Sequence, residues 1–215
     1  MDYFIYISDQ KVDMLANQIP TKRLRRLARQ FEFSVKLPWV PFNATYKPGD
    51  PIPSDVHRIN RVRLIEKALD PDQVGGITVA RPWIKSSLRM TWGFIDGGKK
   101  AVWFFGKASD TNVLMGGSAK HLLGGSNVKQ QPHHAYSLLP VLSEALMERA
   151  EQASENVGEN HGSYDDVISA VRLLINTSTG PRERLDFLAR RLLTTQDNDE
   201  KLIVATPLYV MSNPI

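Results

Sequence analysis

Between Thr111 and Ser126 an apolar stretch runs into Gly116-Gly117-Ser118, then into Lys120-His121, then into a second Gly-Gly-Ser. Each residue type here has something to offer an anion. Paired glycines let backbone N–H groups come close to a ligand, and a small-residue turn opening a helix is a common phosphate cradle. Lys120 adds positive charge and His121 a titratable donor. The G-x-x-x-x-G-K-[ST] order of a Walker A loop is absent, so the run suggests an anion site without a complete catalytic signature. Ser8-Asp9 ends the first strand, and ligands of sheet proteins often sit at strand ends. If the strand before Gly116 lies beside that first strand, Asp9, Lys11, Ser118 and His121 share a cleft. The plainer reading of Asp9 is a helix N-cap, and of His121 an exposed side chain on a tight turn.

Other chemistry is sparse. The chain has no Cys, which removes disulfide frameworks and thiolate metal sites. His133-His134 and His161 fall in polar stretches, H-E-x-x-H is missing, and neither a metal nor a cofactor is expected. No G-x-S-x-G nucleophile elbow is present. An enzyme reading therefore rests on His121, working with Lys120 or an arginine at one phosphate, as a metal-independent phosphodiesterase or nuclease.

The net charge of +4 is unevenly placed. Lys22 to Arg29 carries a basic run in which Arg25, Arg26 and Arg29 would face a nucleic-acid partner. Arg58, Arg61 and Arg63 form a second group, and Arg182, Arg184, Arg190 and Arg191 a third. The competing reading is a set of amphipathic helices with solvated arginines outside. Trp39, Trp83, Trp92 and Trp103 have the chemistry to stack bases, but most lie in or near strand segments, where core packing is the ordinary role.

These groups need a frame, and the pattern of apolar residues predicts one. Tyr3 to Ser8 reads as a central strand. A short helix through Val12, Met14 and Leu15 follows, stopped at Pro20, and Leu24, Leu27, Ala28 and Phe31 mark a second. Ser34 to Val40 reads as a strand and Phe42 to Pro53 as a loop. Ser54 caps a third helix with Val56, Ile59, Val62, Ile65 and Leu69 on its buried face. Strands are expected at Ile84–Ile95, Ala101–Gly106 and Thr111–Met115, with Asp96-Gly-Gly as a hairpin turn. Helices are then expected around Leu139–Leu146 and Tyr164–Ile175. Leu185, Leu188, Ala189 and Leu192 fall at the spacing of a last amphipathic helix. Leu202 to Met211 closes as a strand, which Pro207 places at an edge or bulge. The fold class is α+β: a mixed, largely antiparallel sheet with a three-strand meander at about 84–115 and helices packed on it, in a single domain over 1–215. No apolar run approaches the roughly 18 residues of a membrane span, and the start is too short and acidic for a signal peptide. A cytoplasmic chain without membrane contact is expected.

Three phrases, Tyr6-Ile-Ser-Asp-Gln-Lys-Val-Asp-Met-Leu15, the Gly116–His121 region and Thr206-Pro-Leu-Tyr-Val210, resemble those of a family of uncharacterised, actinobacterial-type single-domain proteins. The resemblance spans nearly the whole chain and implies a bacterial accessory protein of a signalling or defence locus. It implies no catalytic residue. The leading expectation is a ligand-binding or regulatory domain for an anionic small molecule, such as a nucleotide, at Gly116, Gly117, Ser118, Lys120 and His121 with Asp9 and Lys11. The alternatives are the His121 phosphodiesterase or nuclease, and a nucleic-acid or protein-interaction module using the basic helix 22–29.

Overall fold

Between residues 83 and 95, Ile84, Leu88 and Met90 alternate with Lys85, Ser87 and Arg89. A strand divides such residues between two environments, since successive side chains point to opposite faces. The computed structural model, which describes residues 3–23, 25–27, 55–95, 101–123, 182–197 and 200–213, has that strand. Its elements are β1 (Tyr3–Ile7), α1 (Asp9–Gln18), α2 (Asp55–Ala68), β2 (Val74–Gly75), β3 (Trp83–Ile95), β4 (Ala101–Ala108), β5 (Thr111–Ser118), β6 (Glu183–Asp197) and β7 (Glu200–Ser212). Residues 21–23 and 25–27 are also helical. The expected strand at 34–40, the loop at 42–53, the turn at Asp96 and the helices around 139–146 and 164–175 lie outside the described residues.

The architecture is mixed helix and strand, dominated by strands. Three strands, β3, β6 and β7, are long, with 13, 15 and 13 residues. The first part of β3 pairs with β6 from Trp83↔Arg190 to Met90↔Glu183, and its second part pairs with β4 from Met90↔Gly106 to Ile95↔Ala101. β4 pairs with β5, β5 runs parallel to β7 over Thr111–Met115, and β7 pairs antiparallel with β6. The cycle β3-β4-β5-β7-β6 therefore closes on itself as a barrel, which removes the exposed edges of an open sheet. The expected strands at 84–115 are β3, β4 and β5, which pair antiparallel in sequence order and serve as staves of this barrel. β1 extends the sheet by pairing with the last residues of β7, and β2 by pairing with the start of β3.

The barrel is filled by Ile84, Leu88, Met90, Val102, Phe104, Val113, Met115, Leu185, Phe187, Ala189, Ile203 and Ala205. A second apolar layer lies outside it. There Val12 and Leu15 of α1 and Val62 and Ile65 of α2 meet Phe4, Ile7, Trp83, Leu188, Leu208 and Tyr209. Burial of these side chains supplies most of the stabilisation of both layers. No helix among the described residues is long and apolar enough to cross a membrane.

The expected helix over 185–192 is instead part of β6. Leu185, Phe187 and Ala189 point into the barrel, Leu188 packs on the helical layer and Leu192 is exposed. Register shifts between Leu188 and Ala189 and between Arg191 and Leu193 show bulges against β7. A bulge inserts one residue and moves the alternation by one position. The extra residue is Leu208 of β7 at the first shift and Leu192 of β6 at the second. Across 185–189 the alternation of β6 is unbroken, and the i, i+3, i+4, i+7 spacing arises because Leu188, on the outer face, is buried under the helices as well. On the partner strand, Pro207 pairs with Ala189 and Tyr209 with Leu188, so Pro207 sits beside the bulge, where a missing N–H is tolerated.

Candidate functional site

The expected phosphate turn does not form. Gly116, Gly117 and Ser118 continue β5, in register with Trp103, Val102 and Ala101. Their backbone extends a ladder instead of encircling an anion. Gly117 is needed for a different reason: a Cβ there would overlap the hydroxyl of Tyr6 and stand 2.8 Å from its Cζ. After Ser118 a short 3₁₀ turn over Ala119–His121 leads back to the first strand. Leu122 bridges to Tyr6, and the Leu123 N–H donates to the Ile5 carbonyl at 2.8 Å. These contacts bring His121 to the end of β1.

That strand end carries the polar cluster. Ser8 is the N-cap residue of α1, and Asp9 is the first helical residue instead of the cap. The Asp9 side chain is thereby left to reach other elements. Its carboxylate accepts from Arg58 Nε at 2.9 Å and from Arg58 Nη2 at 2.7 Å, and it stands 3.6 Å from His121 Nδ1. Arg58 Nη2 also donates to the Ile7 carbonyl at 3.3 Å, so one guanidinium joins α2 to β1 and α1. A parallel pair between Arg61 and Asp13 strengthens the same helix–helix contact.

Behind this pair the environment becomes dry. His121 is 5% exposed, and its ring meets Tyr6 edge-on with centroids 5.8 Å apart. Lys11 is 7% exposed and donates from Nζ to Ser8 Oγ at 3.3 Å; no carboxylate pairs with it among the described residues. The Tyr6 hydroxyl is fully buried and lacks a hydrogen-bond partner among the described residues.

The electrostatics follow from this gradient of burial. Removal from water pushes the Lys11 ammonium down to about 8, because a low-dielectric site disfavours charge. Burial also lowers the His121 imidazole, helped by Lys120 and Lys11 and opposed by Asp9. For Asp9, burial acts upward, but hydrogen bonding to His121 and Arg58 prevails and holds the carboxyl below its ordinary range. Burial raises the Tyr6 hydroxyl, so it stays a neutral potential donor.

Asp9 and His121 are therefore neighbours, and Lys11 lies close enough to act electrostatically on the imidazole. Ser118 and Lys120 flank them on β5 and the 3₁₀ turn, both half-buried. His121 is buried, not an exposed turn residue. Tyr6, Ser8 and Arg58 were not anticipated as site residues. Arg58 lies 49 positions from Asp9, and no local spacing relates the two. Arg25 and Arg26 are exposed, while Arg29, Trp39, His133, His134 and His161 lie outside the described residues. Trp83 is buried under the helices, Trp92 stacks on Phe104, and Trp103 lies against Gly93.

The three phrases that carried the resemblance lie on β1–α1, on β5 with its 3₁₀ turn, and on β7, which pairs with both β1 and β5. A family model for a family of unknown function, DUF7019, matches residues 2–213. The chain belongs to the DUF7019 family. No curated protein and no solved structure matches it. The family match spans nearly the full chain and assigns no chemistry.

Proposed function

We propose that the chain is a cytoplasmic ligand-binding or regulatory domain, of bacterial, actinobacterial-type origin and serving a signalling or defence system, that recognises an anionic small molecule of the nucleotide class at the end of β1. One observation carries the reading: Lys11 is a buried lysine whose ammonium has a serine hydroxyl and no carboxylate as partner among the described residues. A buried, uncompensated ammonium is costly. An anion that accepts its remaining N–H donors offsets that cost. The unused Tyr6 hydroxyl adds another donor, and Lys120 and His121 stand on the adjoining turn. The Gly116–Ser118 amides have no part in this version of the site, because they belong to a strand.

Isothermal titration with inorganic phosphate and a panel of linear and cyclic nucleotides tests the reading. Saturable binding is expected, weakened about tenfold or more in Lys11→Met by loss of a charge-assisted hydrogen bond. A wild-type chain that binds no member of the panel overturns it.

The Asp9–His121 contact favours a second reading. A carboxylate that orients an imidazole is part of a general acid–base arrangement, which suits a metal-independent phosphodiesterase or nuclease. Turnover of labelled RNA or a cyclic nucleotide in EDTA, abolished in His121→Ala, supports that alternative. An inactive wild-type chain removes it.

A further inference from the structure

We infer that the outer face of β3 and β6 is a second anion-binding surface, built on Arg89, Arg184 and Arg182, and that its ligand is the phosphodiester backbone of single-stranded nucleic acid. The inference does not depend on the Lys11 reading.

Its basis is a register position. Arg89 of β3 lies directly opposite Arg184 of β6. Leu88 and Met90 on one strand and Leu185 on the other fill the barrel, so strand alternation turns both arginines outward, and both are exposed. Like charges facing each other across antiparallel strands are destabilising. Arg184 Nε donates to Ser87 Oγ at 2.9 Å, and neither Arg89 nor Arg182 has a partner among the described residues. Lys107, also exposed, follows Gly106, the residue paired with Met90, and adds a cation on the neighbouring strand.

At two other places a cation that meets another element has an acid as partner. Lys85, on the same face of β3, pairs with Glu66 at 2.6 Å, and Arg58 pairs with Asp9. Beside Arg184 the acids are engaged otherwise. Glu183 accepts from Trp92 Nε1 at 2.7 Å and from Ser212 Oγ at 3.2 Å, and Asp186 accepts from Asn213 Nδ2 at 3.3 Å. Asp186, opposite Ser87, shares this outer face, but Arg89, Arg184 and Arg182 outnumber it, so the face keeps an excess of positive charge.

Guanidinium forks match phosphate oxygens in bidentate geometry. A row of arginines across two strands suits a repeating anion better than a single one. A nucleic-acid strand also releases condensed counterions on binding, a gain that a short acidic peptide does not provide. The net charge of +4 and sequence pI of about 9.3 favour the same partner over the whole surface.

Fluorescence anisotropy with labelled oligothymidylate of about 20 nucleotides, titrated across a salt series, is the test. The wild-type chain is expected to bind with affinity falling steeply as salt rises. Arg89→Ala with Arg184→Ala should weaken binding about tenfold or more at about 50 mM salt, and make the log–log salt slope shallower by about 1.4, two contacts at about 0.7 each. Arg25→Ala with Arg26→Ala should leave that slope difference intact. Arg89→Lys with Arg184→Lys keeps the charge and guards against misfolding: it should retain the slope while losing affinity. Absence of wild-type binding, an unchanged slope in the alanine pair, or equal competition by an oligoglutamate of matched charge overturns the inference. Phosphate titration at Lys11 is unaffected by any of these outcomes, so the two sites are judged separately.

Discussion

The ring of Tyr6 occupies the space that a side chain at Gly117 would need: an added Cβ would stand 2.8 Å from its Cζ and overlap its hydroxyl. The glycine is a packing requirement between β5 and β1. Tyr6 also packs edge-on against Phe104 at 6.0 Å, which hinders the ring from moving away. Gly117→Ala is expected to destabilise the fold by about 1–3 kcal/mol, the usual cost of overpacking. Tyr6→Phe removes a buried hydroxyl without a described partner, and it should be neutral or stabilising by up to about 1 kcal/mol. The double variant should recover part of the Gly117→Ala loss, because contacting residues couple. Urea unfolding of the four chains measures this, and strict additivity would contradict the packing account.

Lys11 predicts opposite effects on stability and binding. Its folded-state pKa of about 8 lies below the ordinary 10.5. Between these values the unfolded state holds more protons, so Lys11 makes stability rise with pH across that window. Below it, the buried ammonium is a constant cost of up to about 3 kcal/mol. Lys11→Met should therefore raise the unfolding midpoint at neutral pH while it weakens anion binding. Affinity for phosphate in the wild-type chain should fall as pH rises through about 8, where the ammonium loses its charge. A less stable methionine variant would show that the lysine is structurally satisfied.

Asp9 and His121 predict acid sensitivity of the same sign. Both folded-state values lie below ordinary ones. In each case the unfolded state takes up protons first as pH falls. The contribution of these two groups to stability is full above the ordinary imidazole value of 6.5 and decreases below it, then decreases further below the ordinary carboxyl value of 3.8. His121→Gln should flatten the upper part of this profile. Asp9→Asn should flatten the lower part and destabilise by about 1 kcal/mol, a modest figure because the Asp9 side chain is 42% exposed. Thermal melts from pH 7 to 3 provide the comparison.

β7 holds three other strands together. It pairs with β1, β5 and β6, and it buries Leu202, Ile203, Val204, Leu208, Tyr209 and Val210. Each large side chain contributes about 1.5–3 kcal/mol, against a total stability of about 5–15 kcal/mol for a typical domain. A chain truncated after Asp199 should be insoluble or lack a cooperative transition. A sharp melt near that of the full chain would show that β7 is dispensable.

The sequence by itself determined those elements whose burial pattern is local and regular. Alternation marks β3, the apolar runs mark β1 and β7, and the spacing of Ile59, Val62 and Ile65 marks α2. It also placed Asp9 and Lys11 at a strand end and suggested that His121 joins them. Tertiary structure decided the rest. β6 is apolar on both faces, with Leu185, Phe187 and Ala189 in the barrel and Leu188 under the helices, so its two-residue period is hidden and only pairing with β3 and β7 reveals a strand. Gly116-Gly117 suggests a turn by composition, and only the Tyr6 ring explains Gly117. Barrel closure, the Asp9–Arg58 link and the Arg89–Arg184 opposition join residues far apart in the chain. Local spacing carries no record of such partners, because strand pairing and ion pairing are chosen by three-dimensional register.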